Sequence, residues 1–75
     1  MIDKKQNLNA ENFNRNLREL RERKNITLRE LASKLNVSSR TIYYWETGMK
    51  KKIPTVENAL KISSALGVTL DDLLS

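Results

Sequence analysis

Helix start and stop signals follow one another closely along this chain, and that punctuation restricts it to short helices joined by tight turns. Thr27 precedes Glu30 by three residues, the pattern of a capping box, and Leu28, Leu31, Ala32 and Leu35 then fall on one helical stripe. Asn36 tolerates a positive φ and makes a natural turn before Ser38, which caps a further helix reaching about Thr47, where Gly48 stops it. Upstream, Phe13, Leu17 and Leu20 set a helix from about Asn12 to Lys24, capped by Asn9 or Asn12 and closed by Asn25. Downstream of a loop ending in Pro54, Thr55 caps a fourth helix whose expected inner face is Val56, Ala59, Leu60, Ser63 and Leu66. Gly67 ends it, and Thr69 caps a short fifth helix carrying Leu70, Leu73 and Leu74. No segment alternates like a strand. The expected fold is all-α, a compact five-helix domain over residues 12–75 behind a polar, mobile arm over residues 1–11.

Composition narrows the function. The 75 residues include no cysteine and no histidine, which removes thiolate nucleophiles, imidazole bases, disulfides and the usual zinc ligands together. A chain this short buries only about 60% of its unfolded surface, so an enclosed catalytic pocket has little room. No catalytic residue, metal set or cofactor is assigned, and no small-molecule ligand is evident. Asp71 and Asp72, the one adjacent carboxylate pair, sit in a first helical turn, where they favour the helix dipole. No apolar run approaches the roughly 18 residues of a membrane span, and the expected location is the cytoplasm.

Charge is unevenly spread. Residues 15–52 carry eleven basic and four acidic side chains, a surplus of seven, while the first fourteen residues balance and those after Lys52 sum to −2. A polyanion-facing surface therefore belongs to the middle of the chain, and nucleic acid is the commonest such partner. At 100° per residue, Ser39, Arg40, Tyr43, Tyr44 and Thr47 share one arc of the third helix, a face that is polar, aromatic and long-reaching. Ile42, Trp45 and Glu46 lie on the opposite arc with Thr41, where Ile42 and Trp45 can pack on the second helix. A short helix presented in this way fits a major groove about 12 Å wide.

The segment TLRELASKLNVSSRTIYYWETG resembles the helix-turn-helix of the Cro and lambda-repressor type, the xenobiotic-response-element family. NLRELRERKNIT is similar to that family's first helix and PTVENALKISSALGVTLDDLL to its fourth and fifth, so the resemblance runs from about Phe13 to Leu74. It implies a lambda-repressor-like domain that binds a double-stranded operator as a homodimer, in a transcriptional regulator expected to be a repressor. It also implies base contacts from Ser39, Arg40 and Tyr44, and flanking or backbone contacts from Ser38 and Tyr43; Thr47, on the same outward arc, is expected at the backbone too. Arg21 and Glu46 match a structural ion pair beneath the recognition helix. Where the family often has glutamine this chain has Leu28, which passes that phosphate contact to a backbone amide or to Arg29. Asn36 replaces a common glycine, and the loop between Gly48 and Pro54 is about two residues longer than usual, with Lys50, Lys51 and Lys52 as an added backbone clamp.

Each of these features also has a plainer reading. A lysine run taken alone is a solvated loop, and Arg15, Arg18 and Arg23 can pair with Glu19 and Glu22 along their own helix. Trp45 belongs to the core. Val68, Leu70, Leu73 and Leu74 make an apolar C-terminal end that either joins two copies or only closes the monomer. The rival function is a protein-interaction or antitoxin-like adaptor built on the same fold.

Overall fold

The computed structural model describes residues 10–49 and 53–75, with backbone alone for residues 10 and 11. Five helices follow in order: α1 (Ala10–Arg23), α2 (Leu28–Leu35), α3 (Ser39–Thr47), α4 (Val56–Leu66) and α5 (Leu70–Leu74). There is no strand among the described residues, and none of these helices is long and apolar enough to cross a membrane.

The caps do what their residue types dictate. Thr27, Ser38, Thr55 and Thr69 sit in extended backbone, and each side-chain oxygen accepts the amide proton three residues on, from Glu30, Thr41, Asn58 and Asp72. Such a bond contributes about 1 kcal/mol to its helix. Glu30 and Asp72 reach back to the amides of Thr27 and Thr69, completing two capping boxes. At the other ends Asn25, Asn36, Gly48 and Gly67 are left-handed, at φ of 57°, 59°, 73° and 69°. Behind Asn25 and Asn36, the amides of Ile26 and Val37 close onto the carbonyls of Arg21 and Ala32, so the two turns bordering α2 satisfy their own carbonyls.

The core draws on every helix: Phe13 and Leu17, Leu31, Ala32 and Leu35, Ile42 and Trp45, Ala59, Ile62 and Leu66, and Leu73. Two expectations change. The first helix begins at Ala10 rather than near Asn12, so Asn12 is helical and accepts a hydrogen bond from Arg15 instead of capping; Asn9 lies outside the described residues. On α4, Val56 and Leu60 are exposed, at 59% and 50%, while Ile62, left out of the expected face, is completely buried. Two overlapping apolar stripes exist on that helix, and docking against α2 and α5 selects the one centred on Ala59, Ile62 and Leu66. Leu73 closes the monomer core, and the Asn16 amide donates to its carbonyl at 3.0 Å, tying α1 to α5. Val68, Leu70 and Leu74 pack partly buried around it.

Candidate nucleic-acid interface

The caps of α2 and its buried residues Leu31, Ala32 and Leu35 make a rigid bed for α3. Ile42 and Trp45 face inward, with 0% and 5% of their surface exposed, and lock α3 against α2 and α1. Glu46, one residue on, is also buried. Its carboxylate takes two bonds from Arg21, Nε to Oε2 at 2.5 Å and Nη2 to Oε1 at 3.1 Å. The fork geometry is that of a bidentate, charge-assisted pair. Hydrogen bonding to Glu46 raises the Arg21 pKa against the opposing effect of burial, so the guanidinium stays charged. A third donor, Nη1, reaches the Ile26 carbonyl at 2.7 Å. One guanidinium thus joins α1, the turn entering α2 and the last turn of α3. Sequence reasoning pairs Arg21 with Glu46 but offers no signal for the Ile26 contact, which depends on how the Asn25 turn aims a carbonyl.

The opposite face of α3 is open. Arg40 and Tyr43 are exposed, Ser39 and Tyr44 half-buried, and Arg40 makes no hydrogen bond or ion pair among the described residues. The Tyr43 and Tyr44 rings touch, with centroids 6.3 Å apart and planes inclined at 52°. Ser38 is committed as the cap of α3, accepting from the Thr41 amide at 3.2 Å and sharing a proton with Thr41 Oγ1 at 2.9 Å. When Thr41 supplies that proton, the Ser38 hydroxyl keeps its own for a phosphate.

Thr47, exposed on the same arc, spends its hydroxyl at the end of α3. Its hydroxyl donates to the Tyr43 carbonyl at 2.9 Å and accepts from the Met49 amide at 3.2 Å. To donate to a phosphate, this hydroxyl would turn its one proton away from the Tyr43 carbonyl. Arg29 stands exposed in the first turn of α2, while Leu28 beside it is turned against the core. Lys50, Lys51 and Lys52 lie outside the described residues.

Two other arginines of α1, Arg15 and Arg18, stand among carboxylates rather than on the outer face of α3. Arg18 pairs with Glu22 at 3.5 Å, Arg15 turns to Asn12, and a groove lined by Arg15, Arg18, Glu19, Glu22, Glu46 and Thr47 runs beside α3. Asn14 lines the same groove, and its Oδ1 is buried without a partner among the described residues. A Cβ on Gly48 would come within 2.6 Å of Asn14 Nδ2, so a side chain there requires Asn14 to swing aside, and the left-handed backbone at φ 73° strains it in any case.

A tight pair of helices, α2 and α3, with a left-handed turn between them, buried inner faces and an open outer face on the second, is the helix-turn-helix unit. The family model "Helix-turn-helix" matches residues 17–73. The chain belongs to the helix-turn-helix family, of the xenobiotic-response-element type. It is 44% identical over 63 residues, 84% of its length, to a protein of Enterococcus faecalis named as the HTH-type transcriptional activator BcrR. It is 54% identical over 50 residues, 67% of its length, to a protein of Methanocella arvoryzae named as an HTH-type transcriptional regulatory protein. The chain spans 30% and 14% of these relatives, so the likeness concerns their helix-turn-helix portion. No solved structure gives a significant match.

Proposed function

We propose that this chain is the sequence-specific, double-stranded DNA-binding domain of a transcription regulator, reading the major groove with the outer face of α3. The observation that carries the reading is the mounting of that helix. Ile42, Trp45 and Glu46 fix its inner face rigidly, while Ser39, Arg40 and Tyr44 lie on the arc turned away from the core. Rigid presentation of a few donors is what base reading needs, because phosphate contacts set position and base-edge contacts set sequence. Arg40 is the reader of a guanine through O6 and N7. Ser38, Tyr43, Arg29 and the lysines at 50–52 are the backbone contacts, and the names of the two relatives support regulation of transcription. Two copies bind with their recognition helices about 34 Å apart on successive turns of one duplex face.

Selection of bound sites from a random duplex pool tests this directly. Arg40→Ala should weaken binding to the selected site about tenfold to a hundredfold and relax preference at one base pair per half-site. Identical preferences in wild-type and variant pools would place Arg40 on a phosphate. Alanine at Lys50, Lys51 and Lys52 should flatten the slope of log K against log salt by about 0.9 for each phosphate no longer neutralised, on random and selected duplex alike. Sedimentation on the selected duplex reads the dimer; one copy at saturation removes it. The sequence-based expectation is a repressor, whereas the Enterococcus faecalis relative is named an activator. A reporter with the selected site placed over and then upstream of a promoter reads the sign.

A further inference from the structure

Resting on that reading, we propose that the paired rings of Tyr43 and Tyr44 recognise the C5 methyl group of a pyrimidine beside the guanine read by Arg40. The two tyrosines follow Arg40 by three and four residues, so on the helical wheel they stand on either side of it, one turn further along α3. Their ring centroids lie 6.3 Å apart and the planes are tilted by 52°, so the pair presents two differently inclined aromatic surfaces rather than one flat stack. Tyr43 is 43% exposed although α3 has inward positions available for an aromatic ring, as Trp45 shows at 5%.

An aromatic pair with one ring exposed and the other half-buried, next to a guanidinium, is an apolar reader joined to a polar one. In the major groove the only apolar feature of the base edges is the thymine methyl, so the groove offers these rings one kind of partner. The ring faces alone make this contact; the Tyr43 hydroxyl is left for the backbone contact already assigned to it. Spacing follows from helix geometry. Three or four residues advance about 4.5–6 Å along α3, against about 3.4 Å per base pair, which places the methyl-bearing base one to two base pairs from the guanine.

Deoxyuridine substitution in the selected duplex is the test, because it removes the methyl and nothing else. Replacing each thymine of one half-site in turn should weaken wild-type binding about threefold to fivefold at a single position, on the scale of one buried methyl group. 5-Methylcytosine opposite guanine at that position should bind more tightly than unmodified cytosine there by a similar factor. With Tyr43→Ala, whose exposed side chain leaves the fold intact, thymine and deoxyuridine duplexes should bind equally. Wild-type affinity unchanged by deoxyuridine at every position overturns the methyl reading and leaves groove reading standing. A random pool that yields no enriched site overturns groove reading itself, and with it this inference.

Discussion

Replacing Glu46 with glutamine isolates the contact on which the orientation of α3 depends. The change keeps shape and one acceptor but removes the charge opposite Arg21, whose side chain is 11% exposed against 4% for Glu46. Complete burial of an abandoned charge costs about 3–5 kcal/mol, and a hydrogen bond to a charged group contributes about 1.5–3 kcal/mol. Arg21 keeps its bond to the Ile26 carbonyl and some access to water, so the lower end applies, about 3 kcal/mol. For a domain of this size that is a large share of a total near 5–10 kcal/mol and corresponds to a fall in Tm of about 12–24 °C. Trp45, the only tryptophan and adjacent to Glu46, reports unfolding by fluorescence in a urea titration. Because the pair is shielded, 1 M salt should not reproduce the loss. Leucine at both positions should recover much of it, since no charge is then left to desolvate. A Glu46→Gln protein within about 0.5 kcal/mol of the wild type would refute the reasoning.

Truncation to alanine should separate the two apolar stripes of α4: Ile62→Ala is expected to cost about 2–5 kcal/mol and Leu60→Ala less than about 0.5 kcal/mol, both read from urea midpoints. Gly48→Ala forces a side chain into left-handed backbone and against Asn14, so a loss of about 1–2 kcal/mol is expected from the backbone alone. Adding Asn14→Ala should relieve only the steric part of that loss; full recovery would show that φ at Gly48 costs nothing. Bonds from Thr27 hold the Glu30 carboxyl below its usual range near 4.3. A folded pKa below the unfolded one contributes stability that is complete above about pH 5 and is lost as pH falls through the folded value. The urea-midpoint difference between wild type and Glu30→Gln should therefore be flat at neutral pH and shrink in acid; a difference that grows on acidification has the wrong sign for a capping box.

The helices are legible in the sequence because their ends are set by single residues acting locally. Thr27, Ser38, Thr55 and Thr69 each cap where a short side-chain oxygen meets the third amide, and Asn36 and Gly67 turn where positive φ is cheap. None of this needs a distant partner. The inner face of α4 departs from expectation for the complementary reason. Val56, Leu60 and Ile62 are all apolar, and periodicity alone cannot say which of two stripes α2 and α5 will cover. Tertiary packing decides between patterns that local physics scores alike.

The same division runs through the candidate site. Which residues of α3 face outward follows from 100° per residue once Ile42 and Trp45 are taken as core, and the structure leaves Arg40 and Tyr43 in the open accordingly. What a side chain does with its hydrogen-bonding groups is less readable, because that depends on neighbours within about 3 Å. Thr47 lies on the correct arc, yet the carbonyl of Tyr43 and the amide of Met49 use its hydroxyl where the helix ends. Ser38, doing similar work at the other end, shares its bond with Thr41 and retains a donor when Thr41 supplies the proton. Position on a wheel nominates a residue for contact; whether it has a proton to give is decided by the cap it already serves.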